Sequence, residues 1–139
     1  MTLYVMDTDH LSLFERNHPG VVGRVLEARQ SAIEDLSTTI VSMQEQLEGR
    51  LAQIRRVRDP ERLCSAYKLL KKTFDLFADL NVLDYSISAD NRFREFRKAG
   101  LRIGTQDLRI ASIVLANEGI LLTRNSRDFE KVSGLILQD

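Results

Sequence analysis

The chain has 139 residues, with 20 Lys+Arg balanced by 20 Asp+Glu and only two His, so its formal net charge is zero. That balance excludes a uniformly basic coat for nucleic acid and an acidic solvating tail, and the length suits a single domain, residues 1–139, with a core of its own. One cysteine, Cys64, rules out an internal disulfide and a cysteine zinc site, and His10 and His18 are too few for a multi-histidine metal site. Leu3-Tyr4-Val5-Met6 then reads as a buried strand, followed by polar Asp7-Thr8-Asp9 opening a helix. Pro19-Gly20 opens a second helix through Val21, Val22, Val25 and Leu26. Thr38-Thr39-Ile40-Val41 is β-branched throughout and predicts a second strand, and Ser42-Met43-Gln44-Glu45 has capping-box spacing for a helix running to about Arg58.

Pro60 starts the next helix, which extends to about Asp79 with Leu63, Tyr67, Leu70, Phe74 and Phe77 at helical spacing. Val82-Leu83-Asp84-Tyr85 is a third strand, and a helix from Ser88 to Lys98 ends at Gly100. A helix from Gln106 to Asn117 is apolar on more than one face, which predicts deep burial, and Gly119 terminates it. Ile120-Leu121-Leu122-Thr123 and Leu135-Ile136-Leu137 complete five strands. Uninterrupted apolar strands alternating with helices predict an α/β fold, a mostly parallel sheet covered on both faces. No apolar run approaches the ~20 residues of a membrane span. The N-terminus lacks a basic segment leading into a long apolar stretch, so a cytoplasmic location is expected.

In such folds ligands bind outside the carboxyl ends of the strands. The polar residues there are Asp7 after the first strand, Glu45 in the helix after the second, Asp107 in the first turn of the buried helix, and Asn125 with Asp128 after the fourth. Each has a structural explanation: Asp7 or Asp9 caps a helix, Glu45 completes a capping box, Asp107 complements a helix dipole, and Asn125 with Asp128 makes a turn or caps a short helix. Capping does not explain why acids recur at the ligand-binding edge. Carboxylates within ~4 Å repel by about 4 kcal/mol per pair at an effective dielectric near 20, so their convergence needs a cation or a proton. Oxygen ligands without Cys or His select Mg²⁺ or Mn²⁺, and such a site suits phosphodiester hydrolysis.

These residues carry a resemblance. Val5-Met6-Asp7-Thr8-Asp9-His10-Leu11-Ser12 resembles the opening of PIN-domain ribonucleases, specifically the VapC-type toxins of toxin–antitoxin pairs. Ser42-Met43-Gln44-Glu45 with Gly49, Asp107-Leu108-Arg109-Ile110-Ala111, and Leu122-Thr123-Arg124-Asn125-Ser126-Arg127-Asp128-Phe129 with Val132-Ser133-Gly134-Leu135 are similar to the family's later motifs, in order. The resemblance implies a three-layer α/β/α sandwich and a metal-dependent endoribonuclease. Asp7, Glu45 and Asp107 would hold one or two Mg²⁺ (or Mn²⁺) ions, directly or through water. Water would attack phosphorus in line, leaving a 5′-phosphate and a 3′-hydroxyl. It also implies a small antitoxin partner and a homodimer. Asn125 stands where many members have Asp, which the resemblance implies makes the fourth ligand neutral, with Asp128 beside it as a further catalytic candidate; Gln46 stands where an apolar residue is commoner.

Eight basic residues and two acids lie between Arg50 and Lys72, and five basic residues and one acid between Arg92 and Arg102. They read either as solvated helix faces or as phosphate-holding flanks of the cleft, where RNA affinity would fall steeply with salt. Arg102, Arg109, Arg124 and Arg127 lie beside the acidic motifs and are candidates for substrate contact, while Thr8 and Ser12 are candidates for orienting ligands or water. The helix pair around residues 43–79 is equally a place for an antitoxin segment. Two other readings compete: a PIN-like protein that binds RNA or a partner without cutting, supported by Asn125, and a haloacid-dehalogenase-like phosphatase using the Asp-x-Asp of Asp7 and Asp9. The latter is disfavoured by Leu11 where a Thr or Val is expected and by the lack of a later Lys motif.

Overall fold

The computed structural model describes residues 2–16 and 34–139. Five strands form one sheet: β1 (Thr2–Met6), β2 (Glu34–Thr39), β3 (Asn81–Leu83), β4 (Ile120–Leu122) and β5 (Ile136–Gln138). The helices among the described residues are α1 (Thr8–Glu15), α2 (Ile40–Arg56), α3 (Pro60–Asp79), α4 (Ile87–Lys98), α5 (Thr105–Ala116) and the single turn α6 (Ser126–Phe129). The helix expected after Pro19 lies outside the described residues.

The strand order is β3-β2-β1-β4-β5, and every pairing is parallel. The chain moves outward on one side of β1 and then on the other, so the order reverses at β1 and β4, where parallel sheets open a crevice at their carboxyl ends. Alternation along β1 and β4 divides the core. Val5 and Leu121 point into one cluster with Val41, Leu108, Ile110, Ile113, Val114 and Phe129. Met6 and Leu122 point into the other with Leu11, Leu36, Phe77 and Leu80. Helices thus cover both faces, as the apolar strands predict. α5 buries Leu108, Ile110, Ala111, Ser112, Ile113 and Val114, the all-round burial its sequence foretells. Among the described residues, no helix is long and apolar enough to cross a membrane.

Two local expectations are corrected. β2 ends at Thr39, and Ile40-Val41 opens α2 rather than closing the strand. Thr39 is itself the N-cap, its Oγ1 accepting the Ser42 N–H at 3.0 Å, so Ser42 sits third in the helix and Glu45 in its second turn. The β-branched run predicted strand because Thr is favourable both in strands and as a cap. At the end of α5, the left-handed residue is Glu118 (φ 54°) and not Gly119. Gly119 has a different role: a Cβ there would lie 3.2 Å from Val5 Cγ2 and 3.3 Å from the Leu3 carbonyl oxygen, so it lets β4 enter tightly against β1.

Candidate active site

The site is built where β1, β2 and β4 end. Asp7 follows β1 directly, only 4% exposed, with its backbone N–H donating to the Leu122 carbonyl of β4 at 3.1 Å. Its Oδ1 accepts the His10 N–H at 2.8 Å, which makes it the N-cap of α1. Capping and placement in the crevice are therefore one and the same position. Thr8, next in sequence, donates from Oγ1 to Glu45 Oε1 at 2.7 Å and lies 3.1 Å from Ser42 Oγ, tying the start of α1 to α2.

Asp107 stands in the first turn of α5, after Gly104, which gives no side-chain cap. A Cβ on Gly104 would come 4.0 Å from Asp107 Oδ2. Burial, and then the neighbouring charges of Glu45, Asp7, Asp128 and Asp9, push the Asp107 carboxyl up to about 6. Five carboxylates, from α1 and its N-cap and from α2, α5 and α6, therefore share one electrostatic field. Asp9, read from sequence as an alternative cap and as part of the disfavoured Asp-x-Asp phosphatase pattern, joins it as an exposed residue of the first turn of α1.

After β4, Thr123 is buried and accepts the Asn125 N–H at 2.9 Å. Asn125 Nδ2 donates to Asp128 Oδ2 at 3.4 Å, and Lys131 Nζ lies 3.6 Å from Asp128 Oδ1. The amide at position 125 thus props the acid at 128, which an aspartate could do only when protonated. Asp128, and not residue 125, carries the negative charge of this corner.

Among the described residues, no three His, Cys, Asp or Glu side chains are gathered closely enough to hold a metal ion as they stand. The hydrogen bonds show why. Asp7 faces its helix amide, Glu45 faces Thr8, and Asp128 faces Asn125 and Lys131, each carboxylate finding a local donor rather than its neighbours. Asp107 has no side-chain donor among the described residues, and it carries the raised pKa. An all-oxygen donor set around uncompensated negative charge fits a hard cation that keeps several of its waters, as Mg²⁺ does.

The basic candidates separate. Arg102, Arg124 and Arg127 are exposed, without a side-chain partner among the described residues. Arg109 is engaged: Nη1 donates to Gln106 Oε1 at 2.9 Å, and its guanidinium carbon lies 5.4 Å and 6.0 Å from the ring centroids of Phe93 and Tyr85. Ser12 donates to Gln46 Oε1 at 3.2 Å, one turn along α1 from Thr8. Sequence reading did not single out the buried polar floor of Thr38, Thr39 and Ser42. Its signal was available in the unbroken Ser37-Thr38-Thr39 run at a strand end, where buried hydroxyls need partners.

No family model matches the chain. One stretch of 70 residues is 34% identical to Ribonuclease VapC2 of Rickettsia felis, covering 47% of this chain and 52% of that protein. The match therefore spans about half the length of the curated relative. Solved structures match along the whole chain. VapBC-1 from nontypeable Haemophilus influenzae superposes with a TM-score of 0.75 at 20% identity, over 99% of this chain and 98% of that one. VapBC2 from Rickettsia felis, bound to a DNA fragment from its promoter, gives 0.71 at 22% identity with the same coverage. DNA-bound VapBC from Salmonella typhimurium gives 0.71 at 21% identity, over 100% and 98%. At these identities the structures establish the fold.

Proposed function

We propose that this chain, which has the fold of VapC-type PIN domains and a local likeness to a VapC ribonuclease, is a Mg²⁺- or Mn²⁺-dependent endoribonuclease. We read it as the toxin of a toxin–antitoxin pair, held in check by a small antitoxin protein and working as a cytoplasmic homodimer. The observation that carries the enzymatic reading is the field around Asp107, whose carboxyl is raised to about 6 by burial and by Glu45, Asp7, Asp128 and Asp9. Lys131 lies 3.6 Å from Asp128 and His10 Nδ1 3.6 Å from Asp7, but among the described residues no cationic side chain pairs with Asp107 or Glu45, and a divalent ion would offset their charge.

Asp7, Glu45 and Asp107 would hold the ion, directly or through water, with Asn125 as a neutral oxygen ligand. A bound divalent cation supplies a more acidic water and stabilises negative charge on the phosphoryl group. The chain's own residues do the rest. The α1 backbone fixes the Asp7 carboxylate, the Thr8 hydroxyl orients Glu45 Oε1, and Asn125 with Lys131 holds Asp128. Asp107 must give up its proton before it binds a cation, so cleavage rises as pH increases through about 6 at limiting metal. Arg102, Arg124 and Arg127, exposed and without a side-chain partner among the described residues, would take flanking phosphates.

Purified protein incubated with single-stranded RNA tests the reading. Cleavage should need Mg²⁺ or Mn²⁺, stop in EDTA, and fall by about 100-fold or more in Asp7→Asn and Asp107→Asn. Cleavage that survives EDTA or both substitutions would sink the metal mechanism. The second reading, an RNA or partner binder that does not cut, draws on Asn125 and on the absence of a tight three-ligand cluster among the described residues. RNA binding without cleavage in either metal would select it.

A further inference from the structure

Between α2 and α5 the surface opens into a cleft of about 440 Å³ lined by Ile40, Val41, Met43, Gln44, Tyr85 and Arg109. Its α2 wall carries Gln44 next to Glu45, and its α5 wall carries Arg109 two residues after Asp107. Residues one or two apart on a helix point to different sides, so the cleft shares α2 and α5 with Glu45 and Asp107 but takes another side of each helix. Ile40, Val41 and Met43 make it largely apolar, and the Arg109 guanidinium carbon lies 5.4 Å from the Phe93 centroid and 6.0 Å from that of Tyr85. The Tyr85 hydroxyl is committed to Asp90 Oδ1 at 2.8 Å, so the ring reaches the cleft as an apolar surface with its polar tip already satisfied.

A chain of hydrogen bonds crosses from α5 to α2 at this place. Arg109 Nη1 donates to Gln106 Oε1 at 2.9 Å, Gln106 Nε2 to Gln44 Oε1 at 3.2 Å, and Gln44 Nε2 to Glu48 Oε1 at 3.0 Å. Two amides and a guanidinium offer donors and acceptors in the planar patterns that base edges use. An apolar slot with a held guanidinium plane and polar amides suits a flat heterocycle better than a phosphate, which would leave the aliphatic walls unused.

We infer that this cleft binds one nucleobase of the RNA strand, with Tyr85 and Arg109 supplying the flat surface and Gln44, held by Gln106, the edge contact. The inference rests on RNA being the substrate. It makes the cleft the source of base preference and leaves the phosphates to Arg102, Arg124 and Arg127.

Fluorescence anisotropy in EDTA, where no strand is cut, tests it with the full chain. The probes are the four labelled eight-nucleotide homopolymer RNAs and an eight-unit strand of abasic ribose phosphates. At least one homopolymer should bind roughly tenfold more tightly than the abasic strand, the scale of one stacked base. Arg109→Lys keeps the charge but loses the guanidinium plane, and Gln44→Ala removes an edge contact. Both should close most of that gap while retaining wild-type circular dichroism, and Arg109→Lys should still bind the abasic strand. Equal binding of homopolymers and abasic strand by wild type, a gap left intact by both variants, or no binding at all overturns the inference. Adding Mg²⁺ to the same strands separates the two readings. Cleavage without a base-dependent gap leaves the ribonuclease standing and removes the cleft; a gap that the variants close, without cleavage, does the reverse.

Discussion

Thr8 spends its hydroxyl on Glu45 Oε1 at 2.7 Å, and that bond orients one acid of the site from the neighbour of another. Removing such a support costs about tenfold in metal affinity or activity. Thr8→Val should therefore weaken Mn²⁺ binding and RNA cleavage by about that factor, and Thr8→Ser should recover most of it; calorimetric titration of Mn²⁺ into each variant reads this directly. Asp107 gives a prediction of opposite sign for stability. Its carboxyl is near 3.8 when unfolded and about 6 when folded, so the folded state holds the proton longer. Its contribution to stability is complete below about pH 3.8 and is lost as pH rises through about 6. Without divalent ions, Asp107→Asn should stabilise the protein at pH 7.5 by on the order of 1 kcal/mol, discounted for solvent screening of a half-buried group. Urea unfolding in EDTA should show that gain shrinking to nothing near pH 4. At this scale the sequence was legible where an acid stands out from its surroundings: Asp7 directly after a strand, and Glu45 and Asp107 in the opening turns of helices. The pairing of Asn125 with Asp128 was only half visible, because an amide and a carboxylate three residues apart fit a turn as well as a site.

Between α1 and α2 the polar contacts form a ladder: Thr8 to Ser42 and Glu45, Ser12 to Gln46, and Glu15 to Arg50. The last rung is an ion pair whose side chains are 2% and 15% exposed, and Thr73 of α3 joins it through 3.0 Å contacts to both partners. It locks α1, α2 and α3 in the register that brings Glu45 to Thr8. Arg50→Met strands the Glu15 carboxylate and should cost about 3 kcal/mol in urea unfolding, whereas Glu15→Leu with Arg50→Met should recover most of that loss. A single variant as stable as wild type would contradict the locking role. This network was not legible, because Glu15 and Arg50 are 35 residues apart and each suits a solvated helix face. Helix extents were largely legible because their signals are local: Pro60 opens α3 as the sequence predicts, and α4 starts at Ile87, capped by Ser86 through the Ala89 N–H, one residue before the Ser88 start expected from sequence. The β2–α2 boundary failed because Thr39 serves strand and cap at once.

Across the whole molecule, zero net charge conceals segregation. Acids from α1, α2, α5 and α6 gather at the carboxyl edge of the sheet, where the strand order reverses. The basic residues are not simply their flank, as one sequence reading had it. Arg56, Arg58 and Arg62 cluster with Gln53, Val57 and Asp59 at the far turn of the α2–α3 hairpin, with Arg56 about 16 Å along the helix axis from Glu45. Arg94 pairs with Asp90, and Arg97 donates to the Leu101 and Ile103 carbonyls, holding the turn into α5. With the phosphates assigned, as we propose, to Arg102, Arg124 and Arg127, the salt dependence of RNA binding should be shallow, reporting a few phosphates rather than the whole basic count. A slope of binding against salt matching eight or more neutralised phosphates would restore the basic helices as the RNA surface. The central claim, that the acid cluster cuts RNA, is tested most directly by sequencing RNA 5′ ends after expressing wild type and Asp7→Asn in the same cells. The account predicts new 5′-monophosphate ends at a limited set of positions with wild type and none with Asp7→Asn. Identical end profiles, or new ends that persist in Asp7→Asn, would contradict it.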